Sequence, residues 1–221
     1  MNSKTKLLMF SLLVSIISIS VYFCNATDDI YLKNENYTLT LNIYDSYKTE
    51  SANVVFLGDS HIRNVNWSEL MGNNQIVSRG IHGDIIPGVI NRLYQVYSLH
   101  PPTCVVMVGV NDLYAHYSVS QVLANYQLLL SKLTQNKIIP IVCSTLFVCK
   151  TYQDSRSINE QVSQINQQLQ KYCQEQNISF VDVNSSLSSN GFMKAEFSKD
   201  GIHCNATAYR IWRDQVATFC D

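Results

Sequence analysis

Five short apolar runs, each closed by turn-forming residues and separated by stretches with helical spacing, restrict this chain to few architectures. They are Val54-Val55-Phe56-Leu57, Gln75 to Ser78, Thr103 to Val108, Ile138 to Cys143 and Ser179 to Val183. Each is long enough for one buried strand and too short for a helix. Between them, Pro87 to Leu99 carries apolar residues at Val89, Ile90, Leu93, Val96 and Tyr97, and Val119 to Leu133 and Ile158 to Tyr172 repeat the three-and-four spacing. A last helix is expected from the capping residue Asn205 through Tyr209, Trp212 and Val216 to Phe219. Strands alternating with helices imply right-handed crossovers and an α/β fold, a three-layer, doubly wound, five-stranded parallel sheet. In such a sheet ligands bind beyond the carboxyl ends of the strands.

Charge gives little further direction. The 221 residues hold 16 Lys+Arg against 17 Asp+Glu, and 46% of them are hydrophobic. A folded core is within reach, and the near-neutral balance without a basic cluster argues against a nucleic-acid partner.

The amino terminus reads as an address. Lys4 and Lys6 precede an uncharged apolar run over residues 7–24, followed by Cys24-Asn25-Ala26 and then Asp28-Asp29. This is the order of an export signal, cleaved or retained as a membrane anchor, and its charge asymmetry delivers the rest outside the cytoplasm, either secreted, periplasmic or anchored. Residues 1–26 are therefore set apart. Residues 27–52, polar and rich in Tyr and Asn without a clear period, are expected to form a spacer or an edge-covering segment, and 53–221 the domain itself. Six cysteines follow the signal, and in an exported chain they could pair; Cys143 with Cys149 and Cys204 with Cys220 are the pairs suggested by proximity along the chain. No Cys-x-x-Cys or His-x-x-x-His spacing points to a metal.

The unusual residues stand at the strand ends. Gly58-Asp59-Ser60-His61 follows the first run, Arg79-Gly80-Ile81-His82-Gly83-Asp84 the second, Gly109-Val110-Asn111-Asp112 the third, and Asp200-Gly201-Ile202-His203 precedes the last helix. Acyl transfer needs a nucleophile, a base, a carboxylate to orient the base, and donors for the developing oxyanion. Ser60, His203 and Asp200 fill the first three roles. The backbone N–H groups of Ser60 and Gly80 with the Asn111 amide fill the last. His61, Leu113 and Tyr114 are candidates to line the substrate pocket, with Thr145 to Tyr152 as a further wall. Asp84 and Asp112 are read as structural, Asp84 by capping the helix from Pro87 or pairing with Arg79. Taken singly, each of these residues could equally be a turn, a cap or a solvated histidine.

Together the four blocks FLGDS, SRGIHGD, VGVND and DGIH resemble the conserved blocks of the SGNH (GDSL-type) hydrolase superfamily, in its order and over residues 54–219. RGIHGDIIPGVINRL is most similar to the platelet-activating-factor-acetylhydrolase-like and lysophospholipase/thioesterase-like branch. The resemblance implies a flavodoxin-like sheet, no metal or other cofactor, and ester or thioester hydrolysis through an acyl-serine. It places Ser60, Gly80, Asn111 and His203 on the four signature positions and Asp200 on the triad carboxylate. The expected function is a serine carboxylester hydrolase acting on a lipid or an acylated carbohydrate. An O-acyltransferase on the same scaffold and a non-catalytic binding module outside the cytoplasm are the alternatives.

Overall fold

The structure, a computed structural model, describes residues 30–220. The expected export segment lies outside these residues. Among the described residues no helix is long and apolar enough to cross a membrane.

The five apolar runs become five parallel strands: β1 (Val54–Gly58), β2 (Ile76–Gly80), β3 (Thr103–Met107), β4 (Ile139–Cys143) and β5 (Ser179–Val181). Their order across the sheet is β2-β1-β3-β4-β5, with Val54 of β1 in register with Ile76 on one side and Thr103 on the other. Because strand side chains alternate between faces, each central strand supplies two cores. Val55, Leu57, Cys104, Val106 and Val142 pack into one, and Phe56, Val105, Met107, Ile141 and Cys143 into the other. Continuous apolar runs, with no alternation to polar residues, are what a sheet covered on both faces requires.

The helices cover those faces. Helices α3 (Ile86–Asn91), α5 (Val119–Gln135) and α6 (Ser155–Glu175) lie over the first core, while the short α2 (Ser60–Arg63) and the C-terminal α7 (Ala206–Val216) lie over the second. Ser118 and Gln121 form a reciprocal capping box at the start of α5, and Asn205 accepts from the amides of Thr207 and Ala208 to start α7. Under α2, Trp67 stacks on Phe56 with ring centroids 4.1 Å apart, meets Trp212 edge-on, and donates its indole N–H to the Ile62 carbonyl.

One expectation about elements is corrected, and the edge-covering alternative for the segment before β1 takes a specific form. The helix anticipated from Pro87 to Leu99 is broken into α3 and a turn over Tyr94–Tyr97. The break falls at Arg92, whose side chain is fully buried among backbone carbonyls. The segment before β1 holds an unanticipated helix, α1 (Glu35–Asp45), capped by Asn34. Its buried face is Tyr37, Thr40 and Tyr44, a three-and-four spacing built from residues that count as polar. Tyr44 donates to the Gly80 carbonyl at 2.5 Å and Tyr37 to the Gly88 carbonyl at 3.0 Å, so α1 packs against the end of edge strand β2.

The cysteine pairing is corrected as well. Cys143, Cys149 and Cys204 are buried thiols, so neither suggested disulfide is formed. Cys143 accepts from the Trp212 indole instead, and burial pushes its thiol up to about 12.

Candidate active site

Three strand ends and the loop before α7 meet at one edge of the sheet. The turn after β1 is tight because Asp59 accepts from the His61 amide and caps α2, leaving Ser60 as the first helical residue. The amides of a first helical turn have no partner inside the helix, which leaves the Ser60 N–H available beside its own hydroxyl.

The opposing loop brings His203 to that hydroxyl. Gly201 sits at φ +87°, a left-handed conformation that disfavours any side chain, and this turn folds Asp200 back onto the residues that follow it. Asp200 Oδ1 accepts from the amides of Ile202 and His203 at 2.9 and 2.8 Å and from the Ser198 hydroxyl at 3.1 Å. Its Oδ2 lies 2.6 Å from His203 Nδ1, and His203 Nε2 lies 2.9 Å from Ser60 Oγ. Partial burial works to raise the Asp200 carboxyl, but the His203 side chain and the two backbone donors outweigh it and hold it well below the usual carboxylate range. An ionised carboxylate only accepts, so Nδ1 of His203 carries the proton and Nε2 is left to take the one on Ser60.

The ends of β3 and β2 complete the site. Gly109, at φ +121°, turns the chain from β3 into α4 (Val110–Tyr114) and presents Asn111. One N–H of the Asn111 amide donates to the Asp84 carbonyl at 3.0 Å, which fixes the side chain and leaves its second N–H. Gly80 is required for a reason the sequence does not announce. A Cβ there would stand 2.4 Å from the Arg63 nitrogen and 2.8 Å from the Asp59 oxygen, so α2 could not approach β2.

Arg92, which sequence reasoning passed over, organises this floor. It donates from Nε to Asp84 Oδ2 at 2.8 Å and from its two terminal nitrogens to the carbonyls of Arg79 and Gly58, both at 2.9 Å. The Arg79 carbonyl shares a rigid peptide plane with the Gly80 N–H, so gripping one orients the other. A signal existed: Arg92 stands three residues after Val89, on the apolar face of its segment. Asp84 is structural as expected, but its partner is Arg92 and not Arg79, whose guanidinium instead lies over the rings of Tyr44 and Tyr47. Asp112 is structural too, both its oxygens accepting from the Ile86 amide. Burial drives its carboxyl well above the usual range.

The expected pocket residues divide. Tyr114 is 36% exposed and its ring lies 6.2 Å from that of Tyr152, whose Cβ adjoins Gly201. Leu113 is buried in the core, and Thr145 is fully buried, donating to the Val108 carbonyl, so neither forms a wall. His61 does not line the pocket either. It is 2% exposed, and both ring nitrogens face protein acceptors. His82 is a residue missed at the site: half-buried, it is held below the ordinary imidazole range by burial and by the charges of Arg63 and His203.

A serine–histidine–aspartate relay, buried at Ser60 and open to solvent at Asp200, stands at the carboxyl ends of a parallel sheet, the arrangement of a hydrolase-type site. The chain belongs to the GDSL-like lipase/acylhydrolase family, whose model matches residues 56–211. Among solved structures it is similar to a GDSL-like lipase from Bacteroides thetaiotaomicron, with TM-score 0.72 and 21% identity over 84% of this chain and 97% of that one. It is also similar to a lipase/acylhydrolase from Enterococcus faecalis, with TM-score 0.67 and 17% identity over 76% and 94%. A third likeness is to an acetyl xylan esterase, with TM-score 0.61 and 20% identity over 76% and 99%. A curated relative, an N-acylneuraminate cytidylyltransferase from Streptococcus agalactiae serotype III, is 27% identical over 192 residues, 86% of this chain and 44% of that protein. The chain thus spans less than half the length of that relative.

Proposed function

We propose that the protein is a serine carboxylester hydrolase that removes short acyl groups from carbohydrates. The observation that carries the reading is the unbroken relay from Asp200 through His203 to Ser60. Ser60 Oγ attacks the ester carbonyl and its proton passes to His203 Nε2. Asp200 holds the imidazole in the required tautomer and stabilises it once charged. The Ser60 and Gly80 N–H groups and the Asn111 amide receive the oxyanion, aided by the fixed peptide at Arg79–Gly80. The alcohol leaves with the proton from His203, and water then releases the acid from the acyl-serine by the same route.

The carbohydrate preference is supported by the mouth of the site. Tyr114 stands one helical turn beyond Asn111, and with Tyr152 it offers a partly exposed aromatic wall with hydroxyls, suited to a ring that is apolar on its faces and polar at its rim. The names of relatives add direction: one acts on acetyl xylan and another on N-acylneuraminate. The export-signal pattern of residues 1–26 supports a reaction outside the cytoplasm.

The test is hydrolysis by residues 27–221 of chromogenic esters of increasing acyl length, then of acetylated xylooligosaccharides, an O-acetylated N-acylneuraminate and a lysophospholipid. Acetyl release from the sugars that exceeds lipid hydrolysis and vanishes in Ser60→Ala is the expected result. Preference for the lipid would overturn the substrate class. Transfer of the acyl group to an added sugar in place of water would make the protein a transferase.

A further inference from the structure

The residue after the nucleophile is buried and has no free ring nitrogen. His61 Nδ1 lies 3.3 Å from Asp59 Oδ1, and Nε2 lies 3.1 Å from the Ile202 carbonyl oxygen, 141 residues along the chain. Both partners can only accept while Asp59 is ionised, and a neutral imidazole has a single N–H to offer. Both contacts are satisfied together only by the doubly protonated ring.

The carbonyl that His61 holds is mechanically important. The Ile202 carbonyl and the His203 N–H belong to one peptide plane, and that N–H donates to Asp200 Oδ1 at 2.8 Å. His61 and Asp200 therefore grip opposite ends of the peptide that leads into His203. Asp59 anchors His61 to the turn carrying Ser60, so a single ring ties the two halves of the relay together. Tyr209 of α7 donates to the His61 carbonyl at 2.8 Å and fixes the backbone beneath it.

We propose that His61 is a positioning residue which, as an imidazolium paired with Asp59, clamps the Asp200–His203 loop at the distance at which His203 reaches Ser60. This rests on the serine-hydrolase reading above and deepens it. The Asp59 carboxylate neutralises the clamp, so a cation 5.5 Å from the His203 ring, centroid to centroid, does not oppose charging of His203 during turnover.

The groups facing His61 agree with this state. Burial alone would lower its proton affinity; the Asp59 hydrogen bond and charge, the Ile202 carbonyl and the Asp200 charge outweigh it and raise the imidazole above its ordinary value. From the other elements packed there, His203 belongs to the catalytic loop, and Cys204 and Tyr209 are themselves pushed up by burial and stay neutral. A raised folded-state value means that the clamp is present below that value and is released as pH rises through it.

The experiment has two arms. In folded Ser60→Ala protein, selectively labelled with nitrogen-15 histidine, both ring nitrogens of His61 should carry protons at neutral pH; a single neutral tautomer would overturn the proposal. In kinetics, His61→Gln can satisfy one acceptor but not both. It should lose about ten- to a hundred-fold in kcat, the scale of a misplaced catalytic group, with KM within about two-fold, and should lack the alkaline fall that the clamp predicts for wild type. Wild-type kcat and pH profile in His61→Gln would also overturn it. Failure of the underlying reading is distinguishable, since it would leave Ser60→Ala active whatever His61 does.

Discussion

His203 Nε2 lies 2.9 Å from Ser60 Oγ although 143 residues separate the two in the chain. The contact exists because β1 and the loop before α7 end at the same edge of the sheet. Ser60→Ala should reduce ester turnover to the level left by binding and oxyanion stabilisation, a loss on the order of 10³-fold or more, with an unchanged melting temperature. Kinetics beside thermal unfolding checks both halves.

Asp200→Asn should leave the loop turn in place and spoil the tautomer. An amide nitrogen facing Nδ1 asks that atom to accept, which moves the proton to Nε2, where Ser60 needs a base. The expected loss in kcat is about 10²- to 10⁴-fold, and since Asp200 is exposed on its outer side, added solvent access favours the lower figure. Steady-state rates across pH measure it.

Asn111→Ala removes one oxyanion donor and the tie to the Asp84 carbonyl. We expect kcat to fall about 10²- to 10³-fold with little change in KM. A change confined to KM would mean that Asn111 holds the ground-state substrate instead.

The Asp84–Arg92 pair makes a prediction about stability against pH. Burial pushes the Asp84 carboxyl up to about 6, outweighing the attraction of Arg92. The folded protein then binds a proton that the unfolded chain releases at its lower, ordinary value. Asp84's contribution to stability is therefore greatest below that ordinary value, declines as pH rises to about 6, and is level above it. Chemical denaturation between pH 4 and 7, compared with Asp84→Asn, should show this declining component in wild type only. Arg92→Met, which leaves Asp84 buried and unpaired, should cost about 3–5 kcal/mol.

The strand ends were readable because a buried parallel strand is a run of apolar residues that stops where polar chemistry begins. Val54 to Leu57 followed by Gly58-Asp59-Ser60 is such a boundary, and the β1 to β5 limits fall within two residues of the runs. What escaped was burial of polar groups. Helix α1 hides its apolar face in Tyr37 and Tyr44, whose rings pack while their hydroxyls bond Gly88 and Gly80. Arg92 and His61 were hidden similarly, since a charged residue in a sequence gives no sign of the carbonyls that will surround it. Cysteine pairing was unreadable from spacing, because Cys143 points into the core beside Trp212 and not toward Cys149 along the chain.

The central claim is that Ser60 becomes acylated. Intact and peptide-level mass spectrometry of enzyme quenched in acid during turnover of an acetyl ester tests it directly. The account predicts one acetyl group, confined to the peptide containing Ser60, absent from Ser60→Ala and lost on further incubation in water. An acetyl group on another residue, or full turnover by Ser60→Ala, would contradict it.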